Sequence, residues 1–234
     1  MKFEEFGKIP RLNRTITITE KIDGTNGLVH VEPIVKLGDT TLYPTGFQEA
    51  MSVAKTDEYW IFAGSRTRWV TPGKQDNHGF AGWVRDNATE LVKLGPGRHF
   101  GEWWGGSIQR GYGVKDKRFS LFNLDRWADA TIRPTCCLVV PPLYEGPFDK
   151  LAIDRVLDCL RQHGSTAVKG YDKPEGIVIY HHAANRLFKV TLEDDEVPKE
   201  VAKKERPPKV PRDQNKGGRR KEQLPYEGED RRKR

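Results

Sequence analysis

The chain has 234 residues, with 40 Lys+Arg against 33 Asp+Glu for a formal net charge of +7, and 36% of its residues are hydrophobic, which fits one domain or two small ones. No apolar run approaches the roughly 20 residues of a membrane span, and the N-terminus lacks the apolar core of a signal peptide, so the expectation is a cytoplasmic protein with no membrane partner. Cys136, Cys137 and Cys159 lack zinc-ligand spacing and two of them are adjacent, which excludes a zinc site or disulfide framework of the usual kind and leaves reduced thiols as the simplest reading.

The first predicted strand, residues 15–21, reads TITITEK. Its period of two sends Ile16 and Ile18 to one face and Thr17, Thr19 and Lys21 to the other, away from the apolar layer. Gly24 and Gly27 then allow the chain to turn back and backbone to approach a phosphate, with Asp23 and Asn26 as polar groups beside the amine. Lys21 is the candidate nucleophile, although a surface lysine before a hairpin turn has the same local pattern. A lysine amine with a reference pKa of about 10.4 attacks at neutral pH only where burial or nearby positive charge favours its neutral form.

Further strands are expected at 27–32, 59–65, 98–104, 119–124, 136–140, 176–181 and 186–192. A helix near residues 79–93 has Phe80, Trp83, Val84, Leu91 and Val92 as its apolar stripe. A second helix runs from Asp149, a suitable N-cap, to just before Gly164, with Ala152, Val156, Cys159 and Leu160 on one face. Within HFGEWWG, Phe100, Glu102 and Trp104 share a face, which sets the carboxylate among aromatic walls. GYG at 111–113 is too short for a nucleotide fingerprint and reads as a turn. His181 and His182 end their strand on opposite faces and make a poor metal pair. Within RLFKVTLE, Phe188, Val190 and Leu192 form an apolar face, and Lys189 points out of the core on the other side with Leu187, Thr191 and Glu193. The pattern alone supports an α+β fold.

Residues 199–234 are rich in proline and charge, with 14 Lys+Arg and 7 Asp+Glu, leaving 26 of each sign in the rest of the chain. Such a segment buries too little apolar surface to fold alone. The expected organisation is a folded domain over 1–198 and a basic, disordered tail over 199–234, either a solubilising appendage or an arm that holds a polyanion through counterion release.

Several segments together resemble one superfamily. KIDGTNG, from Lys21 to Gly27, resembles the Lys-x-Asp-Gly signature of the covalent nucleotidyltransferases: ATP-dependent DNA ligases, RNA ligases and mRNA capping enzymes. The superfamily's later motifs look present in order as SRT at 65–67, GEWWG at 101–105, FSLFNLDRW at 119–127, PEGIVIY at 174–180 and LFKVT at 187–191. The Gly-Thr-Asn ending of the first motif is most similar to the phage RNA ligase 2 branch, since DNA ligases and capping enzymes usually carry arginine at the place of Asn26.

The resemblance implies the ligase adenylation-domain fold, two antiparallel sheets with flanking helices around a nucleotide cleft. It implies an ATP-dependent RNA ligase that joins 5′-phosphate to 3′-hydroxyl RNA ends through lysyl-AMP, with ATP and Mg²⁺ as cofactors and repair of cleaved tRNA in an infected cell's cytoplasm as the setting. The nucleotide-binding set it implies is Glu20, Lys21, Ile22, Asp23, Asn26, Arg66, Glu102, Phe122 and Lys189, with Lys21 catalytic and Glu175 the metal ligand. Arg66 and Lys189 would face phosphate charge, Glu102 the ribose hydroxyls, and Phe122 the adenine. Thr191 departs from the pattern, because the last motif usually has a second lysine there. A hydroxyl cannot neutralise phosphate, so either Lys189 serves alone or another cation, such as Arg186 or Lys169, replaces it. Asn123 also stands where an aspartate is common. A DNA nick ligase, another nucleotidyltransferase and a non-catalytic RNA-binding relative are the alternatives.

Overall fold

The computed structural model describes residues 3–37, 40–41, 46–193 and 195. The chain divides into two units, Met1–Asp195 and Glu196–Arg234; the basic tail expected over 199–234 lies outside the described residues.

In chain order the first unit contains β1 (Thr15–Lys21), β2 (Thr25–Pro33), β3 (Lys36–Leu37), β4 (Thr40–Thr41), α1 (Gly46–Met51), β5 (Ala54–Lys55), β6 (Tyr59–Gly64) and β7 (Trp69–Val70). There follow α2 (Phe80–Asp86), α3 (Ala88–Leu91), β8 (Gly97–Gly105), β9 (Lys117–Leu121), α4 (Leu124–Trp127), β10 (Cys137–Val139), β11 (Pro142–Pro147), α5 (Lys150–His163), β12 (Gly176–His181) and β13 (Arg186–Thr191). One sheet has the order β11-β1-β12-β13 and is antiparallel throughout. The other runs β10-β9-β8-β2-β6-β5, with β7 also on β6, and is antiparallel except for the parallel β9–β10 pair. This is an α+β architecture, and among the described residues no helix is long and apolar enough to cross a membrane.

Alternation in β1 divides the first sheet as its sequence requires. Ile16 and Ile18 are fully buried with Ile177, Ile179, Leu157 and Leu160, under α5. Burying each such side chain contributes about 1.5–3 kcal/mol, and a one-residue slip would expose both isoleucines and drive Lys21 into the core. Helix α5 starts at its expected cap: the Asp149 carboxylate accepts from the Leu151 N–H at 2.9 Å. Its buried face is Ala152, Leu157 and Leu160, with Ile153 and Val156 packed beside it, whereas Cys159 is exposed. Cys159 therefore does not belong to the inner face that the sequence suggested.

The second sheet packs Val29, Val31, Ile61, Ala63, Trp103 and Phe119 against Phe80, Ala81, Val84 and Leu91 of α2 and α3. The helix expected over 79–93 is broken. Asn87 leaves the helical region (φ −108°, ψ 14°), and its side-chain amide donates to the Trp83 carbonyl at 2.8 Å, competing with the backbone pattern. Gly27 lies within β2 rather than in the turn, and a Cβ there would come within 2.8 Å of the Phe80 ring and 2.9 Å of the Phe119 ring. It makes room for core aromatics. Strand β11 gave no clear pattern because it carries prolines at both ends, which are tolerated at a sheet edge where only β1 is paired.

Candidate active site

A cleft of about 990 Å³ is walled by both sheets. Register builds the first wall: Thr19 of β1 is opposite Val178 of β12, which is opposite Lys189 of β13, while Thr17, Tyr180 and Leu187 form the next row. Lys21 ends β1 on the same face, opposite Gly176. The second wall comes from Asn26 of β2, from Glu102, Phe100 and Arg98 at alternate positions of β8, and from Phe122 just past β9. Arg66, from the turn between β6 and β7, also faces the cleft.

Of the residues expected at the site, Glu20, Lys21, Ile22, Asn26, Arg66, Glu102, Phe122 and Lys189 line this one cleft. Glu175 is not on its wall, but it is held directly against Lys21: the Lys21 Nζ donates to Glu175 Oε2 at 2.5 Å, with the two side chains 20% and 9% exposed. The pair is thus shielded from solvent on the carboxylate side and open to the cleft on the amine side.

Glu102 carries the clearest electrostatic perturbation. Burial pushes its carboxyl from 4.5 up to about 7, against the opposing pull of the Lys21 charge and the Gly24 N–H, and the Glu175 and Asp23 charges add to the rise. The Gly24 N–H donates to Glu102 Oε1 at 3.1 Å. That approach needs glycine, because a Cβ at position 24 would meet the Trp103 carbonyl oxygen at 2.5 Å. Phe100 and Phe122 are 46% and 38% exposed, leaving ring faces free in the cleft, and the Phe122 N–H donates to the Phe100 carbonyl at 3.0 Å.

Three expected contacts are used otherwise. Glu20 falls on the inner face of β1 and is 1% exposed, so only its backbone can face the cleft. Its carboxylate accepts from the Ser165 hydroxyl at 2.6 Å and from the Thr166 and Ala167 N–H groups at 2.7 and 2.9 Å. Burial raises its pKa, and those three donors oppose the rise. Asp23 is absent from the cleft wall, and its carboxylate accepts from Arg110 Nε at 3.1 Å. Ile22 is mainly a core residue, packed with Trp104, Tyr112 and Val140.

The departures from the family pattern have local explanations. Asn123 caps α4 by accepting from the Arg126 N–H at 3.1 Å, a bond that an aspartate makes equally well. Thr191 donates from both its backbone N–H (2.8 Å) and its hydroxyl (3.2 Å) to Asp195 Oδ1. Neither Arg186 nor Lys169 lines the cleft, so neither takes the place of a second lysine there. The cations that do line it, beyond those expected, are Arg98 and Arg126. Arg98 was legible from the parity of β8. Arg126 was not, because it reaches the cleft only through the short turn of α4, where it lies 4.6 Å over the Trp127 ring and donates to the Leu94 carbonyl.

Among the described residues no cluster of three or more His, Cys, Asp or Glu side chains is arranged to hold a metal ion. Glu175 and Glu102, both close to Lys21, are the available carboxylates. One or two carboxylates completed by substrate phosphates is how Mg²⁺ is commonly held, so the donor set fits an ion that arrives with a polyphosphate.

The family model described as RNA ligase matches residues 14–191. No curated protein matches the chain. Among solved structures it is similar to an RNA ligase of Naegleria gruberi. An apo point mutant matches at 18% identity and a TM-score of 0.49, covering 76% of this chain and 50% of that one. A point mutant with ATP and Mn matches at 18% and 0.48, with coverage of 78% and 51%. The form with PPi matches at 18% and 0.49, with coverage of 76% and 50%. The chain spans about half the length of these relatives.

Proposed function

The chain belongs to the RNA ligase family, and from that premise we propose that it is an ATP-dependent RNA ligase that seals 5′-phosphate to 3′-hydroxyl ends through a lysyl-AMP on Lys21. The observation that carries this reading is the solvent-shielded Lys21–Glu175 pair opening into a cleft that also collects Asn26, Arg66, Glu102, Phe122 and Lys189.

In the first step the Lys21 amine gives up its proton to solvent, and the contact from Nζ to Glu175 Oε2 at 2.5 Å fixes the direction in which the amine points. Nζ then bonds to the α-phosphorus of ATP as the bond to pyrophosphate breaks. Negative charge on the phosphate oxygens is met by the positively charged side chains of Lys189 and Arg66 on opposite walls. In the second step a 5′-phosphate oxygen of RNA displaces Nζ, giving an adenylylated end and returning the lysine. In the third the 3′-hydroxyl loses its proton and its oxygen bonds to the phosphorus of the RNA 5′-phosphate, as the bond from that phosphorus to AMP breaks and AMP leaves. Magnesium, held by Glu175 with Glu102 alongside, would neutralise phosphate charge in these steps. Phe122 stacks on the base, and Glu102 accepts from ribose hydroxyls when ionised. With Thr191 tied to Asp195, the cationic load falls on Lys189 and Arg66. Mending broken RNA is the use that this chemistry fits.

The test is incubation with α-labelled ATP and Mg²⁺. Label that survives denaturation and alkali but is released by acid, as a phosphoramidate requires, should accumulate on the wild-type chain and be abolished in Lys21→Ala. Label that persists in the variant moves the nucleophile elsewhere, and an unlabelled wild type leaves a non-catalytic relative. Sealing of nicked RNA in preference to nicked DNA is expected; the reverse preference makes it a DNA nick ligase.

A further inference from the structure

The loop leaving β8 is strained at two residues that carry side chains, Gln109 (φ 46°) and Tyr112 (φ 52°). Left-handed backbone at a bulky residue costs on the order of 1–3 kcal/mol and persists where surrounding contacts enforce it. Here those contacts converge on the turn after Lys21. The Tyr112 hydroxyl accepts from the Asp23 N–H at 2.9 Å, and its buried ring packs 5.2 Å from Trp104 and 4.6 Å from Tyr171. Beside it, Arg110 Nε donates to Asp23 Oδ2 at 3.1 Å and Nη1 donates to the Lys173 carbonyl at 3.1 Å, while Nη2 lies 3.8 Å from Glu193 Oε2.

We propose that Arg110 is a positioning residue that sets the distance between Lys21 and Glu175; the inference rests on the role given to Lys21 above. Asp23 is two residues after Lys21, and Lys173 is two residues before Glu175. The β1–β12 pairing ends at Lys21 opposite Gly176, so past this point no backbone ladder joins the two strands. The guanidinium spans the gap from one chain to the other. Its planar fork holds both acceptors in fixed directions, which a lysine ammonium cannot reproduce. Arg110 and Asp23 are 24% and 27% exposed, so the ion pair itself contributes only about 1 kcal/mol or less to stability. Its larger effect is geometric, because a misplacement of about 1 Å in a reacting group can cost about 10²-fold in rate.

The full chain carrying Arg110→Ala or Arg110→Lys tests this in two arms. With α-labelled ATP and Mg²⁺, the self-labelling rate at saturating ATP should fall about 10²-fold in the alanine variant while the KM for ATP changes less than about threefold. Lysine should restore part of the rate, and the urea stability should stay within about 1 kcal/mol of wild type. In the ligand-free chain, amide hydrogen exchange at residues 22–24 and at Asp172, Lys173 and Glu175 should accelerate in Arg110→Ala, with the centres of β1 and β12 as protected as before. A labelling rate within about twofold of wild type overturns the proposal, as does unchanged exchange at those two segments. A wild type that takes no label removes the ligase reading, and exchange alone then decides whether Arg110 joins the two strand ends.

Discussion

Replacing Glu102 with glutamine should make the protein more stable in alkaline solution than in acid, relative to wild type. Burial raises this carboxyl from 4.5 to about 7, so between those values the folded chain keeps a proton that the unfolded chain has released. Stability contributed by the neutral carboxyl is complete below pH 4.5, is lost as the pH rises through 7, and stays lost above it. A separation of that size corresponds to about 3 kcal/mol, which partial access to solvent in the cleft lowers to roughly 2 kcal/mol. Glutamine cannot ionise and keeps the oxygen that accepts from the Gly24 N–H, so Glu102→Gln isolates the charge. Urea unfolding of both proteins at about pH 4 and about pH 8 measures the effect. The variant-minus-wild-type difference should shift in the variant's favour by roughly 2 kcal/mol between the two conditions. A difference that is the same at both, or that moves the other way, would refute the buried-carboxyl argument.

Glu20→Ala should cost about 3 kcal/mol in thermal or urea unfolding, since it strands the Ser165 hydroxyl and the Thr166 and Ala167 N–H groups without their buried acceptor; a loss below about 0.5 kcal/mol would show that water replaces the carboxylate. Truncation after Pro198 removes the basic tail and should weaken RNA binding at low salt and flatten its salt dependence, while self-labelling with ATP is retained. RNA affinity that survives truncation at low salt would leave the tail without that role.

Side-chain direction along a strand is a local property, and this is why so much of the site was readable in advance. The parity of TITITEK put Lys21 opposite the isoleucines, and the parity of HFGEWWG put Glu102 beside Phe100; register then set both on facing walls of one cleft. The cap at Asp149 and the stop at Gly164 were equally local. The break at Asn87 was missed because the apolar spacing continues through it, while the side chain that interrupts the helix bonds four residues back. Strand β11 was missed because its prolines speak against a strand, and only its position at the sheet edge makes them acceptable.

What the sequence by itself determined was which residues sit on which face, together with the order of the motifs, because alternation and hydrophobic burial act over a few residues. Only the tertiary structure decided which groups meet. Glu20 finds Ser165 across 145 positions of chain, Asp23 finds Arg110 across 87, and Lys21 finds Glu175 across 154. Those pairings depend on which strands pair within a sheet, how the two sheets pack and how the loops close, and no local pattern specifies a partner so distant along the chain.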